Sequence, residues 1–121
     1  MKYMLLIHNR PGFLETLTEQ ERQWLFGEVD TIMKELAESG ELVGGQALAD
    51  PSTTRTVRRG EGGTVVTDGP FAEAKEQFAG TVVVDCASVE RAVEIASRWP
   101  DIRFGGAMEV RAIMHDAGAE M

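Results

Sequence analysis

Apolar residues at the start of the chain fall on both parities. Tyr3, Leu5 and Ile7 alternate with Met4 and Leu6, which predicts a strand over residues 1–8 with two faces that both want burial. Arg10-Pro11-Gly12 interrupts it, and Thr18-Glu19-Gln20-Glu21 has the spacing of a capping box. From there Trp24, Leu25, Val29, Ile32, Met33 and Leu36 recur at three- and four-residue intervals, the stripe of a core-facing helix that Ser39-Gly40 ends. Residues 42–48 read as a short extended piece weakened by Gly44-Gly45, with a turn at Asp50-Pro51-Ser52. Two β-branched runs, 54–58 and 64–67, flank Gly60-Glu61-Gly62-Gly63 and predict a hairpin. A polar stretch, 72–77, has room for about one helical turn. Residues 78–86 supply the strongest strand, centred on Val82, Val83 and Val84. Ser88 caps a second helix carrying Val89, Ala92, Val93, Ile95, Ala96 and Trp99, which Pro100 stops. A last strand covers 107–114.

The order strand, helix, hairpin-bearing middle, strand, helix, strand is the α+β, ferredoxin-like βαββαβ arrangement with extra hairpin material inserted. One domain is expected over 1–115, with 116–121 a frayed tail. Two helices cover one face of a four-stranded sheet, yet Met4, Leu6, Val82 and Val84 oppose Leu5, Ile7 and Val83, so both faces carry apolar side chains. A second copy stacked sheet on sheet about a two-fold is the expected cover, giving a homodimer with a barrel-like core. Pockets are expected between sheet and helix or at the subunit boundary.

Composition narrows the function classes. With 121 residues, 43% of them hydrophobic and 26% charged, the chain fits one folded domain and neither two domains nor a disordered linker. The formal charge of -8 repels nucleic acid, anionic membrane and polyanionic substrates. No apolar run reaches the ~20 residues of a membrane span, and the apolar start is too short for a secretory core, so a cytoplasmic location is expected. Cys86 has no cysteine to pair with and reads as a small core residue. No His/Cys/carboxylate spacing suggests a metal, the paired glycines lack the context of a phosphate loop, and no cofactor is expected.

The most particular segment is Val66-Thr67-Asp68-Gly69-Pro70-Phe71-Ala72-Glu73-Ala74-Lys75-Glu76. Asp-Gly-Pro-Phe sets a rigid turn, and the charges that follow it at Glu73, Lys75 and Glu76 make the cluster a candidate site. Together with Met1-Lys2-Tyr3-Met4-Leu5-Leu6-Ile7, Gly44-Gly45-Gln46-Ala47-Leu48, Thr56-Val57-Arg58 and Glu109-Val110-Arg111, it resembles the YCII-related proteins of the DGPF-motif branch. The resemblance implies a dimeric α+β barrel and, in many bacterial members, a gene neighbourhood with extracytoplasmic-function sigma factors. It implies no reaction for the branch as a whole. More distant YCII-related proteins include a dehydrochlorinase acting on a chlorinated aromatic, and a His-Asp pair is proposed for the wider group. The position of that histidine, at the start of the first helix, is held here by Arg22-Gln23-Trp24, so the pair is not carried over.

Each candidate has a plain structural reading beside the chemical one. His8 ends the first strand and Asp68 the hairpin, and strand ends can converge, so the two are the catalytic candidates for a general-base pair. Otherwise His8 simply ends its strand and Asp68 braces its turn. Lys75, Arg55 and Phe71 are the ligand-binding candidates; Lys75 equally suits a solvated ion-paired face. Alternation places Arg55 and Arg59 on one hairpin face and Arg58 on the other. Glu109 and Arg111 suit cross-strand ion pairs, and Trp24 and Trp99 read as core. The expected function is binding of a small aromatic or acidic organic molecule, with cofactor-free acid/base or elimination chemistry at Asp68. The alternative is a non-catalytic sensor or protein-interaction module of a sigma-factor-linked system.

Overall fold

The structure, a computed structural model, describes residues 1–71 and 76–117. Its strands are β1 (Lys2–Asn9), β2 (Leu42–Ala47), β3 (Arg55–Gly60), β4 (Gly63–Asp68), β5 (Gln77–Asp85) and β6 (Ala107–Ala112), and its helices are α1 (Glu19–Ser39) and α2 (Val89–Ser97). β2, β5, β1 and β6, in that order, form an antiparallel sheet, while β3 and β4 form a separate two-stranded antiparallel sheet. With the hairpin set aside, the strand order and the two crossing helices are those of a ferredoxin-like α+β fold.

Local sequence accounts for the helix boundaries. Thr18 Oγ1 accepts from the Glu21 N–H at 3.1 Å and Glu21 Oε1 accepts from the Thr18 N–H at 2.8 Å, closing the expected capping box. Gly40 takes φ +80°, a left-handed conformation that glycine adopts without strain, and its N–H satisfies carbonyls of the last turn. Ser88 Oγ accepts from the Arg91 N–H at 3.1 Å and starts α2. Pro100 does not simply end the chain's helical path; it opens a 3-10 turn, Pro100–Phe104.

Both helices pack on one face of the sheet. Leu5, Val82 and Val84 from the sheet, Ile32 and Leu36 from α1, and Ala92, Ile95 and Ala96 from α2 form the main core, with Cys86 and Trp99 beside them. The register corrects the expected grouping of faces. Leu5 sits opposite Val82 and Tyr3 opposite Val84, so the odd residues of β1 share the helix face with Val82 and Val84, while Met4 and Val83 share the open face. Partners directly across a ladder point the same way, and the pairing register decides which parity is inside.

Two stripes are narrower than expected. Trp24 is not core: it is 38% exposed, edge-on to Phe104 with the Arg103 guanidinium 4.8 Å above its ring. On α2, Val89 and Val93 face solvent, because the short helix buries only the strip through Ala92, Ile95 and Ala96. α2 is also tied laterally. Arg91 donates Nε to Glu41 Oε2 at 2.9 Å and Nη2 to Oε1 at 2.8 Å, a bidentate pair that holds Glu41 down to a pKa of about 2. No helix among the described residues is long and apolar enough to cross a membrane.

Candidate functional site

The described residues bury three polar or charged side chains, Asn9, Gln77 and Asp101. All three line one mostly apolar cavity of about 500 Å³ between the sheet and α1. Ile7, Gly45, Ala47 and Val82 form its sheet wall; Leu25, Phe26, Val29 and Met33 form its helix wall; Phe13, Trp99 and the stretch 48–51 complete it. A volume of this size suits a small organic molecule.

A break in the ladder builds the polar end. Ile7 pairs with Gly80 but His8 pairs with Phe78, leaving Ala79 as an extra residue in β5. A bulge of this kind reverses which parity faces inward. It sends Phe78 to the open face beside His8 and brings Gln77 alongside Asn9 on the helix side.

Asp101 enters from the turn after α2. Asn9 Nδ2 donates to its Oδ2 at 2.8 Å, and the Gly106 N–H donates to its backbone carbonyl at 2.9 Å. Burial pushes the Asp101 carboxyl above its ordinary pKa, and the Asn9 hydrogen bond offsets only part of that. Among the described residues no cation pairs with it. Gly106 is required by packing: a Cβ there would collide with Asn9 Oδ1 and lie 2.9 Å from the Asp101 carbonyl oxygen. Asn9 Oδ1 is buried without a hydrogen-bond partner, an uncommon state for a core amide. Arg10, at the edge of the cavity, is committed to the Phe104 carbonyl at 3.5 Å.

The residues singled out from sequence lie elsewhere. Arg55 and Asp68 face each other across the β3–β4 hairpin and form an ion pair of 2.9 Å, with side chains 71% and 85% exposed. His8 sits on the open sheet face, its Nε2 2.6 Å from Glu109 Oε1 in an ion-pair approach rather than an aligned hydrogen bond. Each of the two catalytic candidates thus has a different charged neighbour, and neither lines the cavity. Phe71 is exposed under the Arg58 guanidinium, 4.7 Å from its ring centre. Lys75 lies outside the described residues, as does most of the expected helical turn at 72–77. The described residues hold no group of three or more His, Cys, Asp or Glu arranged for a metal.

Sheet order, helix placement and the inward cavity define a ferredoxin-like α+β protein with one polar-ended pocket of its own. The chain belongs to the YCII-related domain family, whose pattern it matches over residues 1–115. It is also 31% identical over 96 residues to the uncharacterised protein R00369 of Rhizobium meliloti (strain 1021), an alignment covering 79% of this chain and 77% of that one.

Proposed function

We propose that this YCII-related protein binds a small, largely apolar organic molecule in the cavity under α1, with Asp101 as the group that orients it or exchanges a proton with it. One observation carries the reading: all the buried polar side chains among the described residues converge on the same apolar cavity. Burying a carboxyl and two amides is costly, and a ligand-binding role explains why the cost is concentrated at one place. Asp68 fits this role less well, since it is exposed, paired with Arg55 across the hairpin, and does not line the cavity.

The reading includes a homodimer. Met4, Leu6 and Val83 lie on the sheet face away from both helices, with Phe78 40% exposed at its end, and a second copy of the same face would cover them. A second function is favoured by a different feature. Val57 and Val66 are cross-strand neighbours on the free-standing hairpin, 62% and 58% exposed, and such a surface suits a protein partner better than a small ligand.

A thermal-shift screen of small aromatic alcohols, phenols and amines tests the proposal, run on wild type and on Ala47→Trp, which narrows the cavity from its sheet wall. Ligands that raise Tm in the wild type and lose their effect in Ala47→Trp support the cavity as the site. An effect that survives in Ala47→Trp but disappears in Arg55→Ala would move the site to the hairpin.

A further inference from the structure

Resting on the cavity reading, we infer that the preferred ligand is an organic ammonium, an aromatic or aliphatic amine whose cation pairs with Asp101 while its hydrocarbon part fills the cavity. Asp101 lacks a counter-charge among the described residues. The residue is 6% exposed, the side chain that bonds it is the neutral amide of Asn9, and no lysine, arginine or histidine among the described residues pairs with it. A buried carboxyl normally has a cation or several hydrogen-bond donors of its own, because an isolated buried charge is strongly disfavoured. Here the donors are neutral, the Asn9 amide and the backbone N–H of Asp101 itself, so the counter-charge is left for the ligand to bring.

The surroundings select the rest of the molecule. Phe13, Phe26 and Trp99 line the cavity and suit the hydrocarbon of an amine. Asn9, which holds the carboxyl through Nδ2, keeps its Oδ1 buried without a partner, and an amide oxygen accepts from an ammonium N–H. The net charge of -8 raises the local concentration of cations and lowers that of anions. An acidic ligand would meet the buried carboxyl of Asp101 in a lining that also carries Glu15 and Asp50 against the single cation Arg10 among the described residues. A cationic ligand therefore agrees with the charge pattern at both ranges, and an anionic one with neither.

Benzylamine and benzyl alcohol, which differ in the charged group and share the ring, separate this inference from the reading beneath it. Both are titrated into ¹⁵N-labelled wild type and Asp101→Asn near neutral pH, following backbone amide shifts. Benzylamine is expected to bind wild type about tenfold or more tighter than benzyl alcohol, the factor that one modest ion pair supplies. In Asp101→Asn the amine should fall to the affinity of the alcohol, while the alcohol changes little. The spectrum of the variant itself shows that it is folded. Equal binding of the two in wild type, or an amine preference that survives Asp101→Asn, would overturn the ammonium inference and leave the cavity reading standing. If neither compound moves the amides of cavity residues, both the inference and the cavity reading fail.

Discussion

Asp101→Asn should stabilise the protein, and by an amount that depends on pH in one direction only. Asparagine has the shape of aspartic acid and keeps an oxygen to accept the 2.8 Å hydrogen bond from Asn9, but it cannot ionise. Burial raises the folded-state pKa of Asp101 above the ordinary value of 3.8, so the folded protein holds this proton at pH values where the unfolded chain has released it. Stability from that proton is fully present below the ordinary value and is lost as pH rises through the raised one. Each unit of displacement corresponds to about 1.4 kcal/mol, or about 5 °C in Tm for a domain of this size. The variant and wild type should therefore melt together near pH 3, separate as pH rises, and differ by a constant amount, the variant higher, once Asp101 is ionised in the folded protein. Titrations shared by the two proteins cancel in the difference. Thermal melts by circular dichroism at closely spaced pH values give the curve. A variant less stable than wild type at pH 8, or a difference that does not change with pH, would refute the claim that Asp101 is held against its own ionisation. Natural sites commonly keep such costs where function needs them.

Four further outcomes follow from the same geometry. Glu41→Gln should cost about 1–2 kcal/mol at neutral pH, less than its full displacement because solvent reaches the pair. Its sign is opposite to that of Asp101: with Glu41 depressed to about 2, the stability is present above the ordinary value of 4.5 and disappears as pH falls towards 2, which acid melts of both proteins will show. Gly106→Ala should cost about 1–3 kcal/mol in urea unfolding and weaken any cavity ligand, because the added methyl displaces Asn9 or Asp101. Asp68→Asn should change stability by no more than about 1 kcal/mol, as expected for an exposed ion pair, and should leave ligand-induced thermal shifts intact. Leu5→Ala, which empties a fully buried position at the centre of the sheet, should cost about 2–5 kcal/mol by denaturant unfolding.

The architecture was legible because it rests on short-range patterns. Thr18 to Glu21, Gly40, Ser88 and the glycine-rich link between β3 and β4 each specify a boundary through local backbone chemistry, and the structure places boundaries at or next to those residues. The polar end of the cavity was hidden for the opposite reason. Asp101 follows a proline in a turn, where an acidic residue reads as solvated; its burial depends on Asn9, 92 positions earlier in the chain. Gln77 was masked by the bulge at Ala79, since uninterrupted alternation from Val84 back through Val82 and Gly80 would put Phe78 inward instead. Asp68 drew attention through turn chemistry that is real but local. Nothing near it in sequence shows that its strands leave the main sheet and stand as a separate hairpin. The overestimated Trp24 has a similar origin, for it belongs to the periodic stripe of α1 but lies toward the end of the helix, where Phe104 and Arg103 cover it only from one side.

Chemical-shift mapping of the folded protein with a saturating aromatic amine tests the central claim most directly. The account predicts perturbations centred on the amides of Asn9, Gln77 and Asp101, extending to Phe26 and Val29 on the helix wall and to Ala47 on the sheet wall. Perturbations confined to residues 55–68 of the hairpin, or none at all across a panel of amines and alcohols, would contradict it.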